Sequence, residues 1–347
     1  MDACGAEGLK AGVYVSPWDR HDPHYGSPAY NDVYVKTLES ALSYGPIYEM
    51  WFDGANGEGP AGKHQDYDWT RFHNTVLSLQ KDAVMFSDVG PGCRWVGNER
   101  GIASETNWST LDTAGFEPGA GAPPAEVLGH GVQGGQAWVP AECDVSIRPG
   151  WFWKSSETPD LKSVNDLLEI YYCSIGRNAL LLLNVPPDTS GRIDKADSTR
   201  LMEFRAALDS IFSDNLAAGA SAEASSRHAR RWNADKVLDV DDGTFWAAGE
   251  EDTKPVLSVK LDGPKTFNRV VLQEYIPLGQ RVEEFVVEAL DGDGNWVEIG
   301  RGTTIGYKRI LLVPQTKSRE VRFVFSKSMA QPLINSFALY EDRIYGS

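Results

Sequence analysis

The chain has 347 residues, a formal net charge of −16 and 11% aromatic residues. Its length suggests two domains with ample material for a core, and its apolar and aromatic content excludes a disordered chain. The acidic balance excludes nucleic acid and anionic membrane surfaces as partners, since both need basic patches, and no apolar run approaches the ~20 residues of a membrane span.

Met1 to Lys10 reads as the tail of a helix with a glycine stop, followed at once by a strand at 11–16. No basic segment leads into an apolar stretch, so no signal peptide is visible. From there short apolar strands at 48–53, 84–88, 150–153 and 179–185, with a further one at 102–105, alternate with helices near 31–44, 67–80, 162–175 and 197–214. The run Leu180 to Leu183 suits a parallel sheet buried on both faces. Ser163 with Asp166 three residues on forms a capping box, and Asp197 is placed to cap the helix after it. Alternating βα units predict a (β/α)8 barrel or an open sheet; no GxGxxG follows a strand, which disfavours a dinucleotide-binding sheet. Five or six strands fall short of the eight that close a barrel.

Residues 216–226 are small and read as a linker. Beyond them strand signals at 256–261, 268–275, 283–290, 296–299, 309–313, 320–326 and 335–341, with turns such as Asp291-Gly292-Asp293-Gly294, predict an all-β sandwich. The four cysteines (Cys4, Cys93, Cys143, Cys173) have no CxxC spacing and read as free thiols.

Tyr48-Glu49-Met50-Trp51-Phe52-Asp53 delivers one carboxylate to the turn Gly54-Ala55-Asn56-Gly57-Glu58-Gly59-Pro60. Barrel active sites lie at the C-terminal ends of strands, and Trp51 and Phe52 would flank the acid with a flat wall suited to a sugar ring. The plainer alternative is an Asp that caps the turn. A retaining glycosidase needs two carboxyl groups about 5–5.5 Å apart. Asp53 is the candidate nucleophile, Glu99 in the loop 92–101 the candidate acid/base, and Glu105 the runner-up. An acid must keep its proton near neutral pH, so Arg94 or Arg100 aimed at Glu99 would work against it. Asp88 reads as a strand-end cap. His21 and His24 lack a third ligand and read as loop groups rather than a metal site.

Five segments in order, Ser16-Pro17-Trp18-Asp19-Arg20, Met50 to Pro60, Trp95-Val96-Gly97-Asn98-Glu99, Arg148-Pro149-Gly150-Trp151-Phe152, and Arg177-Asn178-Ala179 through Asn184-Val185-Pro186-Pro187, resemble the catalytic barrel of α-L-fucosidases of glycoside hydrolase family 29. The first two resemble the subgroup preferring α-1,3/1,4-linked fucose on Lewis-type glycans. The resemblance implies a retaining mechanism with Asp53 as nucleophile and Glu99 as acid/base. It implies Tyr14 as a pocket tyrosine, Trp51 and Trp151 as sugar-facing aromatics, and Arg94 as a ligand of a fucose hydroxyl. Glu58 and His64 would meet the leaving group, and no catalytic metal is implied. The family's His-His-Asp-Gly strand end has no counterpart here, so the resemblance implies a chain that starts inside the third helix, without three strands.

Ala224-Ser225-Ser226, Val237 to Trp246 and Phe337-Ala338-Leu339-Tyr340-Glu341 resemble a discoidin-like, galactose-binding-like sandwich. That resemblance implies either sugar binding or bracing of the barrel, and places a structural Ca²⁺ at Asp239, Asp242 and Glu341, against a plain Asx-turn. The expectation is thus a partial (β/α)8 barrel over 1–215, a linker at 216–226 and a jelly-roll-like sandwich over 227–347. Its function is exo-acting release of α-L-fucose from fucosylated oligosaccharides or glycoconjugates, with export of the longer protein to a periplasmic or extracellular setting. The second reading is an inactive fragment serving only as a carbohydrate-binding or structural module.

Overall fold

The computed structural model describes residues 1–57, 62–239 and 241–345. They divide into two compact units, Met1–Gly97 with Ser109–Glu142, and Asn98–Trp108 with Cys143–Ser347.

The first unit contains α1 (Asp2–Ala6), β1 (Gly12–Tyr14), α2 (Ala29–Ala41), β2 (Glu49–Trp51), α3 (Trp69–Leu79), β3 (Val84–Ser87) and β4 (Cys93–Trp95). A small ribbon of β5 (Thr110–Leu111) and β6 (Ala137–Trp138), the helix α4 (Ala125–His130) and the start of β7 (Ala141–Ser146) complete it. Strands β1 to β4 and β7 are parallel neighbours in that order. The core follows from strand parity: Met50 and Phe52 are fully buried in one cluster with Tyr34, Leu38, Phe72 and Val76 of α2 and α3. Since side chains alternate along a strand, Glu49, Trp51 and Asp53 lie on the opposite face. Phe52, expected beside the acid, belongs to the helix-covered side.

In the second unit the rest of β7 is followed by α5 (Val164–Cys173), β8 (Ala179–Asn184) and α6 (Lys195–Phe212). Strand β8 extends the sheet beyond β7, giving six strands in the order β1-β2-β3-β4-β7-β8, an incomplete (β/α) barrel. The Ser163–Asp166 capping box is formed. The cap of α6 is Asp194, not Asp197. Residues 150–153 and 102–105, expected as strands, are irregular; β4 and β7 fill the sheet instead. Strand β7 alternates Glu142, Asp144 and Ser146 with Cys143 and Val145, and both sets are buried.

The sandwich comprises β9 (Ser221–Ala224), β10 (Trp246–Ala247), β11 (Val256–Glu274), β12 (Val282–Leu290), β13 (Trp296–Gly302), β14 (Arg309–Ser328) and β15 (Leu333–Tyr340), all antiparallel. Part of the expected linker is β9, which pairs with Leu257–Lys260. Expected strand pairs at 256–275 and 309–326 are single long strands whose register shifts at bulges. Its core gathers Trp246, Phe267, Phe285, Phe323, Phe325 and Phe337. A second core joins Leu168, Tyr172, Ala207 and Ile211 of α5 and α6 to Val271, Ile310 and Ala338 of the sandwich. Among the described residues no helix is long and apolar enough to cross a membrane.

Candidate active site

Asp53 follows the C-terminal end of β2. Parallel pairing sets Tyr14 opposite Trp51, so Tyr14 reaches the carboxylate two residues on: its hydroxyl donates to Asp53 Oδ2 at 2.5 Å, while the Ala55 N–H donates to Oδ1 at 2.8 Å. Both Asp53 oxygens are thus held by hydrogen-bond donors. Desolvation and then the Asp53 carboxylate push the Tyr14 phenol up, so it stays a proton donor. Trp51 stacks on Phe86 with centroids 4.0 Å apart and lies 5.2 Å from the Tyr14 ring. Its indole N–H donates to Glu142 Oε1 at 2.9 Å.

Gly54 is required here. A Cβ on it would collide with the Asp88 carboxylate and the Gly119 backbone. Asp88 accepts the Gly119 N–H at 2.6 Å; burial, and then the Asp53 charge against the relief of that hydrogen bond, raise its pKa. Arg94 is fully buried and donates to the carbonyls of Leu128 at 2.8 Å and Val139 at 2.5 Å. Those contacts give it the role of tying β4 to the α4 and β6 segments. His64 is exposed on the loop after Asp53. Near it Trp18, Asp19, Arg20, Tyr25, Gly57 and Lys63 line a cavity of about 430 Å³. Glu58 lies outside the described residues. Glu49, Cys93 and Glu142 have ligand-type atoms within 4.8 Å of one another. Burial and then the two carboxylates push the Cys93 thiol up, and its Sγ lies within donor reach of both.

In the second unit Trp151 Nε1 donates to Glu99 Oε2 at 3.2 Å. Among the described residues no arginine or lysine forms an ion pair with Glu99. Glu105 by contrast is largely exposed and pairs with Arg177 at 3.5 Å. The loop carrying Trp151 is fixed by a pair that sequence reasoning missed. Arg148 and Asp197, both with fully buried side chains, meet through two hydrogen bonds of 2.8 and 2.7 Å. Arg148 also donates to the Lys154 carbonyl. Asn184, ending β8, donates to the Trp151 carbonyl and to Ser146 Oγ, both at 3.0 Å. An arginine just before Pro149-Gly150 and an acid in the first turn of α6 were the only sequence signals of this pair.

Asp239 accepts from Lys236 at 3.2 Å and Thr244 at 2.7 Å, and Glu341 from Arg343 at 2.7 Å and Gln315 at 3.2 Å. Lys236 is thus the cation beside Asp239 and Arg343 the one beside Glu341.

Residues 1–209 match the family model described as alpha-L-fucosidase, and residues 221–339 the F5/8 type C domain. "Alpha-L-fucosidase 1" of Arabidopsis thaliana is 41% identical over 347 residues, covering 98% of this chain and 67% of that protein. A relative from Oryza sativa subsp. japonica is 42% identical over 346 residues, covering 98% and 65%. The chain therefore spans about two thirds of the length of these plant relatives. A Ruminococcus gnavus GH29 fucosidase in complex with fucose superposes with a TM-score of 0.89 at 30% identity, over 100% of this chain and 75% of that one.

Proposed function

The chain belongs to the α-L-fucosidase family, and from that premise we propose that it is a retaining exo-α-L-fucosidase acting on terminal α-1,3/1,4-linked fucose. Asp53 attacks the anomeric carbon and forms a fucosyl ester. Glu99, initially protonated, gives its proton to the departing glycosidic oxygen. As a carboxylate it then takes a proton from water, whose oxygen attacks the anomeric carbon and frees Asp53 with net retention. Tyr14 holds Asp53 in its attacking orientation, and Trp51 and Trp151 offer aromatic faces to the sugar. His64 and Glu58, which follow the nucleophile in the sequence, are assigned to the leaving-group sugar. The fucose-bound R. gnavus relative supports a fucosylated oligosaccharide or glycoconjugate as the substrate. Export of the longer protein to a periplasmic or extracellular setting belongs to the same reading.

The observation that carries this reading is the Asp53 carboxylate at a barrel strand end, clasped by the Tyr14 hydroxyl and the Ala55 amide. The test is fucose release from an aryl α-L-fucoside and from a Lewis-type trisaccharide by the chain and by Asp53→Asn. Release that vanishes in the variant supports the enzyme. A folded chain that releases none overturns activity for this polypeptide and favours a binding or structural fragment.

A further inference from the structure

The loop that carries Glu99 is closed by groups almost two hundred residues away. Its first half is self-contained: Asn98 Nδ2 donates to the Ile102 carbonyl at 2.8 Å, and Asn98 Oδ1 accepts the Arg100 amide at 3.1 Å. Its second half is held from the sandwich. The Asn107 N–H donates to Thr304 Oγ1 at 2.9 Å, and the Asn107 carbonyl accepts from Gln280 Nε2 at 2.9 Å. Both backbone groups of this fully buried residue thus find partners in the sandwich. The Glu105 carbonyl accepts from Arg309 at 2.5 Å and from Thr303 at 3.3 Å, and Thr106 and Thr303 bond through their hydroxyls at 2.9 Å.

The same sandwich edge grips the segment leading into β8. Asn178, at φ +59°, donates its N–H to the Lys308 carbonyl, accepts the Tyr307 amide on its side chain at 2.7 Å, and receives Asn107 Nδ2 on its carbonyl at 3.1 Å. Gly306 has no room for a Cβ beside that side chain. Strand β8 then ends at Asn184, which holds the Trp151 carbonyl. Glu99 and its partner Trp151 are therefore both tethered to residues 303–310.

We propose that the sandwich is a positioning element for the acid/base: through Thr304, Gln280 and the 303–310 edge it fixes the 98–108 loop and so holds Glu99 against Trp151. This rests on Glu99 being the acid/base. An independently tethered sugar-binding module would share few contacts with the catalytic half; buried polar groups satisfied by the sandwich are the opposite arrangement.

Hydrogen exchange on the full chain tests the clamp without requiring activity. In Thr304→Val the Asn107 amide loses its acceptor, and amides of 98–108 exchange about tenfold faster while the β11–β14 core keeps wild-type protection; Thr304→Ser restores the loop. Wild-type exchange of 98–108 in a folded Thr304→Val chain overturns the proposal. Should that variant not fold, Thr303→Val is used, with the same local loosening expected and unchanged exchange again overturning it. The catalytic arm compares aryl fucosides with good and poor leaving groups, because only the poor one needs a proton from Glu99. Thr304→Val is expected to lose about tenfold more on the poor one; equal losses overturn the link to acid catalysis. Glu99→Gln is run alongside. If it shows no dependence on the leaving group, the assignment of Glu99 fails and takes the catalytic part of this proposal with it, while exchange still decides the clamp.

Discussion

The settings of Asp53 and Glu99 are built in different ways. Asp53 takes its side-chain donor from Tyr14, 39 positions earlier on the adjacent parallel strand, and its second donor from Ala55 in its own turn. The loop bearing Glu99 closes on Thr304 and Arg309, with sequence separations of 197 and 204 for its hydrogen bonds. One carboxylate is placed by strand register and turn chemistry; the other sits on a loop whose far end is held by the β-sandwich. A nucleophile site of the first kind should tolerate damage to the sandwich; an acid/base loop of the second should not.

The sharpest test of that contrast is at the nucleophile itself. Asp53→Asn should lower fucose release by about 10³-fold or more with only a modest fall in the unfolding midpoint, because the amide oxygen keeps one of the two donors, Tyr14 or Ala55. A large loss of stability would show instead that Asp53 is a turn cap. Next in size is the buried pair of the second unit. Arg148→Met leaves Asp197 buried without its partner and should cost about 3–5 kcal/mol in denaturant unfolding; a cost under 1 kcal/mol would mean that Asp197 finds water or another donor.

A third prediction concerns the packing behind Asp53. His73 lies 5.3 Å from the Phe52 ring and leaves its buried Nε2 without a partner among the described residues; desolvation pushes its pKa down to about 4. The folded chain keeps His73 neutral, whereas the unfolded chain binds a proton below about pH 6.5. Its contribution is therefore full above pH 6.5 and is lost as pH falls through 6.5 toward 4, about 3 kcal/mol at most. His73→Phe should flatten stability against pH in that window, and an unchanged slope would place the acid sensitivity elsewhere. The smallest effect is expected for Tyr14→Phe, a loss of about tenfold in kcat with KM little altered. If KM rose and kcat held, Tyr14 would be a sugar ligand rather than the group that orients Asp53.

Much of the first half of the site was legible. The apolar run ending in Asp53 and the strand containing Tyr14 are local patterns with a period of two, and parallel register follows once they are neighbours. Even so, parity corrected one detail: Phe52 faces α2 and α3, not the site. The second half was less legible. The Gly150-Trp151-Phe152-Trp153 run looks like a buried strand because it is apolar, yet it is a loop shaped by the Arg148–Asp197 pair. Asp197 looks like a helix cap because it starts a helical pattern, but Asp194 does that work and Asp197 is drawn inside by an arginine 49 positions away.

By itself the sequence determined the alternation of strands and helices, the change to an all-β region, and Asp53 at a strand end before a glycine turn, because periodicity, capping and turn chemistry act over a few residues. Only the tertiary structure decided that Arg94 is buried among backbone carbonyls, that Asp239 and Glu341 face cations of this chain, and that the loop of Glu99 leans on Thr304 and Gln280. Those outcomes depend on which distant backbone groups and charges burial brings together, and every buried polar group must be matched there.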